Sequence, residues 1–296
     1  MARSSIHWQS KTVLLLTLPI VCADVFLEST WWFGADRAVA IWALGLSALL
    51  GLAAFQARSA TADAAFSGAV ITASLMFGSA HVPYVPWRTL LVPVLLLLIL
   101  TSIATRLGRH RKQQLGTAEA RKGRVAAQVA ANLGIAALAA NPLTQGWLSA
   151  AALYRPASLL PAAAFAPALA ALVESAADTL SSELGQLLQS RPRMITTLRV
   201  MPPGTDGAIS LGGTLAGALG GALVGLAGTW ALDGGSFVFW ISFGGGLFGL
   251  FFDSLLGATL ERRGWLNNDA VNFVSTISAA LVATAALALA PFVVRF

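Results

Sequence analysis

Carboxylates interrupt two otherwise apolar stretches in the second half of the chain. Glu174, Asp178 and Glu183 lie within ALVESAADTLSSELGQLL, and Asp253 lies within FGLFFDSLLGATLERR. Ionisable side chains at membrane depth cost about 2.5–3.5 kcal/mol each on insertion scales, so these residues are functional candidates. Glu174 and Asp178 share one helix face because they are four positions apart, and such a pair suits a hard divalent cation. Glu183 lies about 140° further round a regular helix than Asp178, so it joins this site only if the helix breaks or a partner helix wraps round it.

Glycines recur at every fourth position along two apolar runs. The first stripe consists of Gly213, Gly217, Gly221 and Gly225, and the second consists of Gly245, Gly249, Asp253 and Gly257. This spacing is typical of membrane helices that pack closely. Asp253 therefore replaces a small residue on a stripe that we expect to face the bundle interior, where an acid avoids contact with lipid.

A polar segment, SRPRMITTLRVMPPGTDGAISLGG, lies between the acidic run and the first glycine stripe. Arginine side chains are forked donors that suit phosphate, and threonine adds hydroxyl groups. PPGTDG has the composition of a tight turn, and the free N–H groups of the helix that follows it can bind an anion. We expect phosphate contacts from this segment, with Arg193 as a catalytic candidate beside Thr196, Thr197, Arg199, Gly204, Thr205, Asp206, Gly207 and Ser210.

Familiar catalytic motifs are absent from the sequence. It contains no Walker motif, no protein-kinase glycine loop, no HExxH and no GxSxG, and its three histidines are scattered. A histidine-based metal site is therefore not expected.

The composition excludes an ordinary soluble enzyme. Of the 296 residues, 56% are apolar and only 11% are charged, with a mean hydropathy of +0.73. Soluble domains average roughly 25% charged residues, so this chain could not cover a globule with a charged surface. The net charge of +6 is attributed to loops that face anionic lipid, and no nucleic-acid partner is expected.

The charges that separate the apolar runs predict an all-α polytopic bundle of nine spans, within a range of seven to nine. Each run is close to the roughly 20 residues that cross a bilayer. The predicted spans are 12–29, 38–55, 65–82, 88–106, 125–142, 158–187, 209–231, 236–260 and 271–294. The first 30 residues also resemble a secretory signal, but their continuation through Trp31 and Trp32 into the next run favours a span.

The distribution of basic residues predicts the orientation. With a cytoplasmic N-terminus, 15 of the 19 lysines and arginines fall on the cytoplasmic side, as the positive-inside rule requires. The acids of the second half then lie at the cytoplasmic ends of their spans. We therefore expect a protein of the inner (cytoplasmic) membrane with its active site on the cytoplasmic face. Residues 1–296 form one membrane domain, with four accessory spans in 1–106, a basic loop in 107–124 and a catalytic core in 125–296.

Several ordered motifs resemble a known family. RVAAQVAANLG, ESAADTLSSELG, PRMITT, PPGTDGAISLGGTLAG, FFDSLLGATLE and NNDAVNF are similar to motifs of the integral-membrane domain-of-unknown-function family 92, which includes plant phytyl phosphate kinases. The likeness runs from about Gly68 to the C-terminus. ADTLSSELG and DSLLGATLERRG also resemble motifs of CTP-using phosphatidate cytidylyltransferases and dolichol kinases, although Ala177 stands where the cytidylyltransferase pattern has glycine.

The resemblance implies a prenyl-phosphate kinase that transfers the γ-phosphoryl of CTP or another NTP to an isoprenoid monophosphate. It implies that Asp178 and Asp253 bind Mg²⁺ or the nucleotide, with Glu174 and Glu183 in support. The matching motifs add further candidates for nucleotide or phosphate binding, namely Arg124, Asn132, Ser254, Asn268 and Asn272. The expected partners are the nucleotide, a prenyl monophosphate, the bilayer and a second copy of the chain in a homodimer. Two alternatives remain open, a lipid-phosphate cytidylyltransferase and an ion-coupled transporter, the latter favoured by Asp24 in the first span.

Overall fold

Helices form almost all of the protein. The computed structural model describes residues 7–115, 123–150, 161–188 and 191–293. The helices in these ranges are α1 His7–Ala35, α2 Arg37–Gln56, α3 Ala62–Gly78, α4 Leu91–Arg106, α5 Arg109–Leu115, α6 Ala126–Ala140, α7 Pro142–Ala150, α8 Ala166–Gly185, α9 Leu211–Ala231, α10 Gly235–Leu256 and α11 Asn268–Val293. Two short strands, β1 Arg193–Met194 and β2 Ala208–Ile209, pair antiparallel before α9. The expected all-α polytopic bundle is confirmed.

Every predicted span coincides at least in part with a helix, although the boundaries differ. The third helix ends at Gly78 rather than at residue 82, and the start of the predicted span 158–187 lies partly outside the described residues. Six helices in the described ranges are long and apolar enough to cross a membrane. The bent pairs α4–α5 and α6–α7, with angles of 65° and 56°, raise this number to eight if each pair is one span. A count of nine and the side of the N-terminus stay predictions.

The α8 helix forms the centre of the bundle. Residues 168–173 on this helix are fully buried, and α4, α6, α9, α10 and α11 pack around it. Its alanine-rich sequence makes this possible, because small side chains allow several neighbouring helices to approach. Burial on all sides explains why a helix that carries three acids sits at the core of a membrane protein.

The two glycine stripes bring α9 and α10 close to α8 and α11. A Cβ atom at Gly217 would lie 2.5 Å from the carbonyl oxygen of Ala177, and one at Gly245 would lie 2.7 Å from that of Ala279. These positions tolerate only glycine without a shift of backbone. The packing role that the glycine spacing predicts is therefore confirmed, and it places Asp253 on the inward face of α10.

Helix ends from both halves of the chain meet at one end of the bundle, which we call the site end. At the start of α1, the Gln9 side chain donates to the Trp265 carbonyl oxygen at 2.8 Å and accepts from the Asn267 N–H at 2.8 Å. At the end of α4, Arg106 donates to the Ala57 carbonyl oxygen at 2.8 Å. The first of the helices predicted as accessory, α1, therefore contacts the connection between α10 and α11, while the division of these helices from a catalytic core stays a prediction.

Candidate active site

A polar cavity of about 330 Å³ opens at the site end, between the last turns of α8 and α10 and the segment that precedes α9. This volume lies at the lower end of the range of small-ligand pockets, which is about 300–1,000 Å³. The predicted residues that line it are Asp178, Gly204, Thr205, Asp206, Gly207, Ser210, Asp253, Ser254 and Asn268. Residues that are 90 positions apart in the sequence thus share one cavity, as their motifs indicated.

Three carboxylates interact at the wall and floor of this cavity. Asp178 on α8 and Asp253 on α10 line it, and Glu174 lies one helical turn deeper with only 1% of its surface exposed. Asp253 interacts electrostatically with both Asp178 and Glu174. Its Oδ2 atom is buried and has no hydrogen-bond partner. An unpartnered carboxylate oxygen beside two other acids is a place where a cation or a donor from a ligand would be stabilised.

Hydrogen bonds from α6 and α11 hold Glu174 in place. The Ser275 hydroxyl donates to Glu174 Oε1 at 2.6 Å, and Asn272 Nδ2 donates to Asn132 Oδ1 at 3.3 Å. Ser175, next to Glu174, donates to the carbonyl oxygen of Asn132 at 2.5 Å. Asn132 and Asn272 thus lie behind the carboxylates and outside the lining of the polar cavity, so their contacts position the acids.

The segment before α9 forms one side of the cavity through a glycine with a left-handed backbone. Gly207 has φ +74, and a Cβ there would overlap the backbone of Ala258. The carbonyl oxygen of Gly207 accepts from the N–H of Ile195 at 3.1 Å. Ser210, which was predicted as a phosphate contact, caps α9 by accepting from the N–H of Gly213 at 3.1 Å. This arrangement holds Thr205 against the cavity. The Ser210 side-chain oxygen is occupied by its hydrogen bond to the helix.

Strand β1 and the turn that follows it lie beside the cavity, whereas both residues of β2 line it. The Arg193 guanidinium donates to the Leu198 carbonyl oxygen at 2.9 Å, and Thr197 and Arg199 are exposed to solvent together with it. Thr196 is also exposed in the same turn. The structure does not bring these four residues to the acids, so their roles in phosphate binding stay predictions.

Arg124 lies at the start of α6, on the other side of α8. Its backbone is fixed by the N–H of Thr61, which donates to its carbonyl oxygen at 2.9 Å, and by Ser59, whose carbonyl oxygen accepts from its N–H at 3.0 Å. The guanidinium interacts electrostatically with Asp178. Arg124 is therefore a predicted phosphate-binding residue whose charge acts on one of the cavity carboxylates, Asp178.

Glu183 has a separate partner that the sequence did not indicate. Its carboxylate forms an ion pair with Lys112 on α5, whose side chain is only 1% exposed, and it accepts from the Thr105 hydroxyl at 3.2 Å. Lys112 also donates to the Ala104 carbonyl oxygen at 2.6 Å. The predicted role of Glu183 in the metal site stays untested, and its observed contacts are those of a buried ion pair.

Other cavity residues were missed by the sequence analysis. Ser181, Ser182 and Gln186 on α8 line the cavity, together with Glu261 at the end of the π-helical turn Gly257–Glu261. The two serines lie three and four positions after Asp178, so the helical spacing was an available signal. Glu261 gave no such signal, because it precedes two arginines, and a cluster of charges is typical of the end of any membrane span.

The donor set fits one divalent cation bound together with a ligand. Among the residues that the structure describes, no group of three or more His, Cys, Asp or Glu side chains is arranged to hold a metal ion alone. Mg²⁺, however, is usually bound through one or two carboxylates plus substrate phosphates, and it keeps several waters. The unpartnered Oδ2 of Asp253, with Asp178 beside it on the same cavity, meets that requirement.

Fold and site together define a polytopic helical membrane protein with a carboxylate-lined cavity at one end of its bundle. The model of the integral membrane protein family DUF92 matches residues 45–280, and the chain belongs to this family. The resemblance indicated by the motifs is thus confirmed.

The relatives include both uncharacterized and plant proteins. An uncharacterized membrane protein of Synechocystis sp. is 34% identical over 206 residues, which cover 67% of this chain and 73% of that protein. An uncharacterized membrane protein of Methanocaldococcus jannaschii is 45% identical over 114 residues, covering 38% of this chain and 48% of that protein. The chloroplastic protein VTE6 of Arabidopsis thaliana is 31% identical over 109 residues, covering 36% of this chain and 33% of VTE6. The chain thus spans about half of the length of the archaeal relative and a third of VTE6. No solved structure matches the chain.

Proposed function

We propose that this protein is a membrane prenyl-phosphate kinase, which transfers the γ-phosphoryl of CTP or another nucleoside triphosphate to an isoprenoid monophosphate. The observation that supports it most is the cavity at the site end, where Asp178 and Asp253, with its unpartnered Oδ2 atom, line a space of about 330 Å³. Membership of the DUF92 family and the partial likeness to VTE6 agree with it, since the family motifs resemble those of plant phytyl phosphate kinases.

The proposed reaction needs little covalent chemistry from the protein. An anionic oxygen of the lipid phosphate attacks the γ-phosphorus, and a new P–O bond forms. The bond from the γ-phosphorus to the β–γ bridging oxygen breaks, and the nucleoside diphosphate leaves with that oxygen. The acceptor is already deprotonated, so no strong general base is required, and catalysis consists of alignment and charge neutralisation.

The chain's own residues would supply that alignment. Asp178 and Asp253 would hold Mg²⁺, which when bound neutralises the nucleotide phosphates. Ser210, which caps α9, lines the cavity, and the N–H groups at the start of that helix would donate to phosphate oxygens. Arg124, which interacts with Asp178, would hold the lipid phosphate.

An Asp253→Asn variant tests the site. Turnover should fall by at least about a hundredfold, as it does when a preorganised charge-stabilising group is lost. The thermal stability should not fall, because Oδ2 of Asp253 has no partner to lose and asparagine keeps an oxygen acceptor for Ser275. Asp233→Asn is the matched control, since that exposed acid pairs with Arg88 away from the cavity. Equal turnover of Asp253→Asn and wild type would contradict the site assignment.

The products identify the reaction. Purified protein is incubated with Mg²⁺, CTP or ATP and prenyl monophosphates, and both products are assigned by mass. A nucleoside diphosphate with a prenyl diphosphate supports the kinase. Pyrophosphate with a CDP-lipid would establish the cytidylyltransferase instead, and the absence of either product with all acceptors would reject both.

A further inference from the structure

A second cavity, of different character, lies between α2, α3, α4 and α6. It measures about 70 Å³, and apolar side chains such as Leu50, Val94, Leu97 and Val129 line most of it. A cavity of about 150 Å³ binds one benzene ring, so the enclosed part of this space holds about three carbon-sized groups. We call it the apolar cavity.

One end of the apolar cavity is basic. Arg124 lines it and also interacts electrostatically with Asp178 in the polar cavity. Arg106 lies close by, donating to the Ser59 hydroxyl at 3.1 Å, and Ser59 is itself part of the lining. Two guanidinium groups at the end of an apolar space are complementary to an amphiphile with an anionic head.

One side of the apolar cavity reaches the apolar outer surface of the bundle. Leu50 and Ala54 on α2 and Leu98 on α4 line the cavity and are only half-buried. The α2 helix packs mainly on α3, whereas α4 packs mainly on α8 and α9. A chain longer than the cavity can therefore leave between α2 and α4 into the surrounding lipid.

We propose that the apolar cavity holds the first carbons of the head-proximal isoprene unit of the prenyl phosphate, with the phosphate at Arg124 and the rest of the tail in the bilayer. This inference rests on the proposed function for the identity of the lipid. It gives the N-terminal helices, which the sequence analysis regarded as accessory, a part in substrate binding. Because the enclosed space reaches only the start of that unit, the length of the tail beyond it should change turnover little.

The cavity would orient the lipid more than it would increase affinity. A tail gains no hydrophobic free energy on moving from bilayer to protein, because both are apolar. Filling the cavity should therefore displace the phosphate, and a misplacement of about 1 Å can cost about a hundredfold in rate.

Gly68 on α3 allows a direct test. A Cβ at this position meets only Val129 Cγ1 at 3.8 Å, so Gly68→Ala should be tolerated, while Gly68→Leu should fill the cavity. Gly45→Leu adds the same volume where a Cβ has nothing within 4 Å and serves as the matched control. Ala54→Leu narrows the same cavity from α2 and replaces Gly68→Leu if that variant does not fold.

The probe is a geranyl monophosphate that carries a diazirine on its head-proximal isoprene unit. Photolabelling of the wild type should map to α2, α3, α4 or α6, and Gly68→Leu should reduce the labelling about tenfold or more, relative to Gly45→Leu and Gly68→Ala. Labels on α9 or α10, or equal labelling of Gly68→Leu and Gly45→Leu, would overturn the inference.

Labelling needs no turnover, which separates this inference from the proposed function. Cavity labelling that depends on Gly68 in a protein without kinase activity supports the anion-headed lipid site and rejects the kinase. Kinase activity with labels elsewhere rejects the apolar cavity as the lipid site and leaves the kinase standing. Turnover of C10 and C20 monophosphates by the wild type should agree within about threefold, since the remaining tail lies in lipid.

Discussion

The buried ion pair between Lys112 and Glu183 predicts a strong and non-additive response to mutation. Removal of one partner of a buried pair lowers the free energy of unfolding by about 3–5 kcal/mol. Because the Glu183 side chain is 15% exposed, water can partly solvate its charge, and we expect Lys112→Met to cost about 3 kcal/mol. Glu183→Gln should cost only about 1–2 kcal/mol, because Lys112 still donates to the carbonyl oxygens of Ala104 and Thr105. The double variant should be more stable than the sum of the two losses by about 1–3 kcal/mol.

Thermal and denaturant unfolding in one detergent measures the stability of four proteins, namely the wild type, Lys112→Met, Glu183→Gln and the double variant. Arg109→Met is the matched control, because Arg109 lies on the same helix and is exposed, so its change should stay within about 0.5 kcal/mol of wild type. Additive losses from Lys112→Met and Glu183→Gln would refute the ion pair as a coupled unit.

The same variants decide whether Glu183 belongs to the metal site. Because Lys112 already binds its carboxylate, we expect Glu183→Gln to keep most of its turnover. Lys112→Met leaves an unpaired negative charge that interacts with Asp178 and should lower turnover, and the double variant should recover it. Loss of turnover in both Glu183→Gln and the double variant would instead show that the carboxylate itself is needed, as the sequence predicted.

Three further predictions concern single positions. Gly249→Ala would place a Cβ 2.5 Å from a buried side-chain atom and should cost about 1–3 kcal/mol in unfolding, whereas Gly244→Ala meets nothing within 4 Å and should be neutral. Gly123→Ala, at φ +81 and with a Cβ 2.5 Å from backbone, should displace Arg124 and lower kcat/KM for the lipid, while KM for the nucleotide stays within about twofold. Arg193→Ala should leave turnover within about threefold of wild type, because the Arg193 guanidinium donates to the Leu198 carbonyl oxygen in an exposed turn. A loss of more than about a hundredfold would instead support the catalytic role that the sequence predicts.

The sequence predicts much of the fold because each membrane helix can be recognised from its own segment of sequence. Apolar length locates each helix, and the four-residue glycine spacing identifies the faces that pack. Asp253 could be placed on an inward face from its own stripe alone. Helix ends were less accurate, as at Gly78, because hydropathy changes gradually where a helix meets the headgroup region.

Contacts between distant segments could not be predicted in the same way. Lys112 was one of several basic residues in a polar loop, and only the fold shows that it is buried against Glu183. The hairpin is a second example. Arg193 lies in a segment with phosphate-binding composition, yet the pairing of β1 with β2 directs its guanidinium to the carbonyl oxygen of Leu198.

The position of Asp253 connects the packing of the bundle to its proposed chemistry. Glycines on either side of it let α10 approach α8 and α11 so closely that a Cβ at Gly249 would lie 3.0 Å from Ala279. An acid in that stripe requires space, and α10 provides it where the helix passes into the π-helical turn Gly257–Glu261, a widening that often accompanies functional sites. A buried carboxylate oxygen without a partner costs the fold roughly 1–3 kcal/mol. Because this cost falls on a cavity wall and not in the packed core, a bound cation or phosphate-bearing ligand can offset it, and ligand binding should then raise the thermal stability of the wild type more than that of Asp253→Asn.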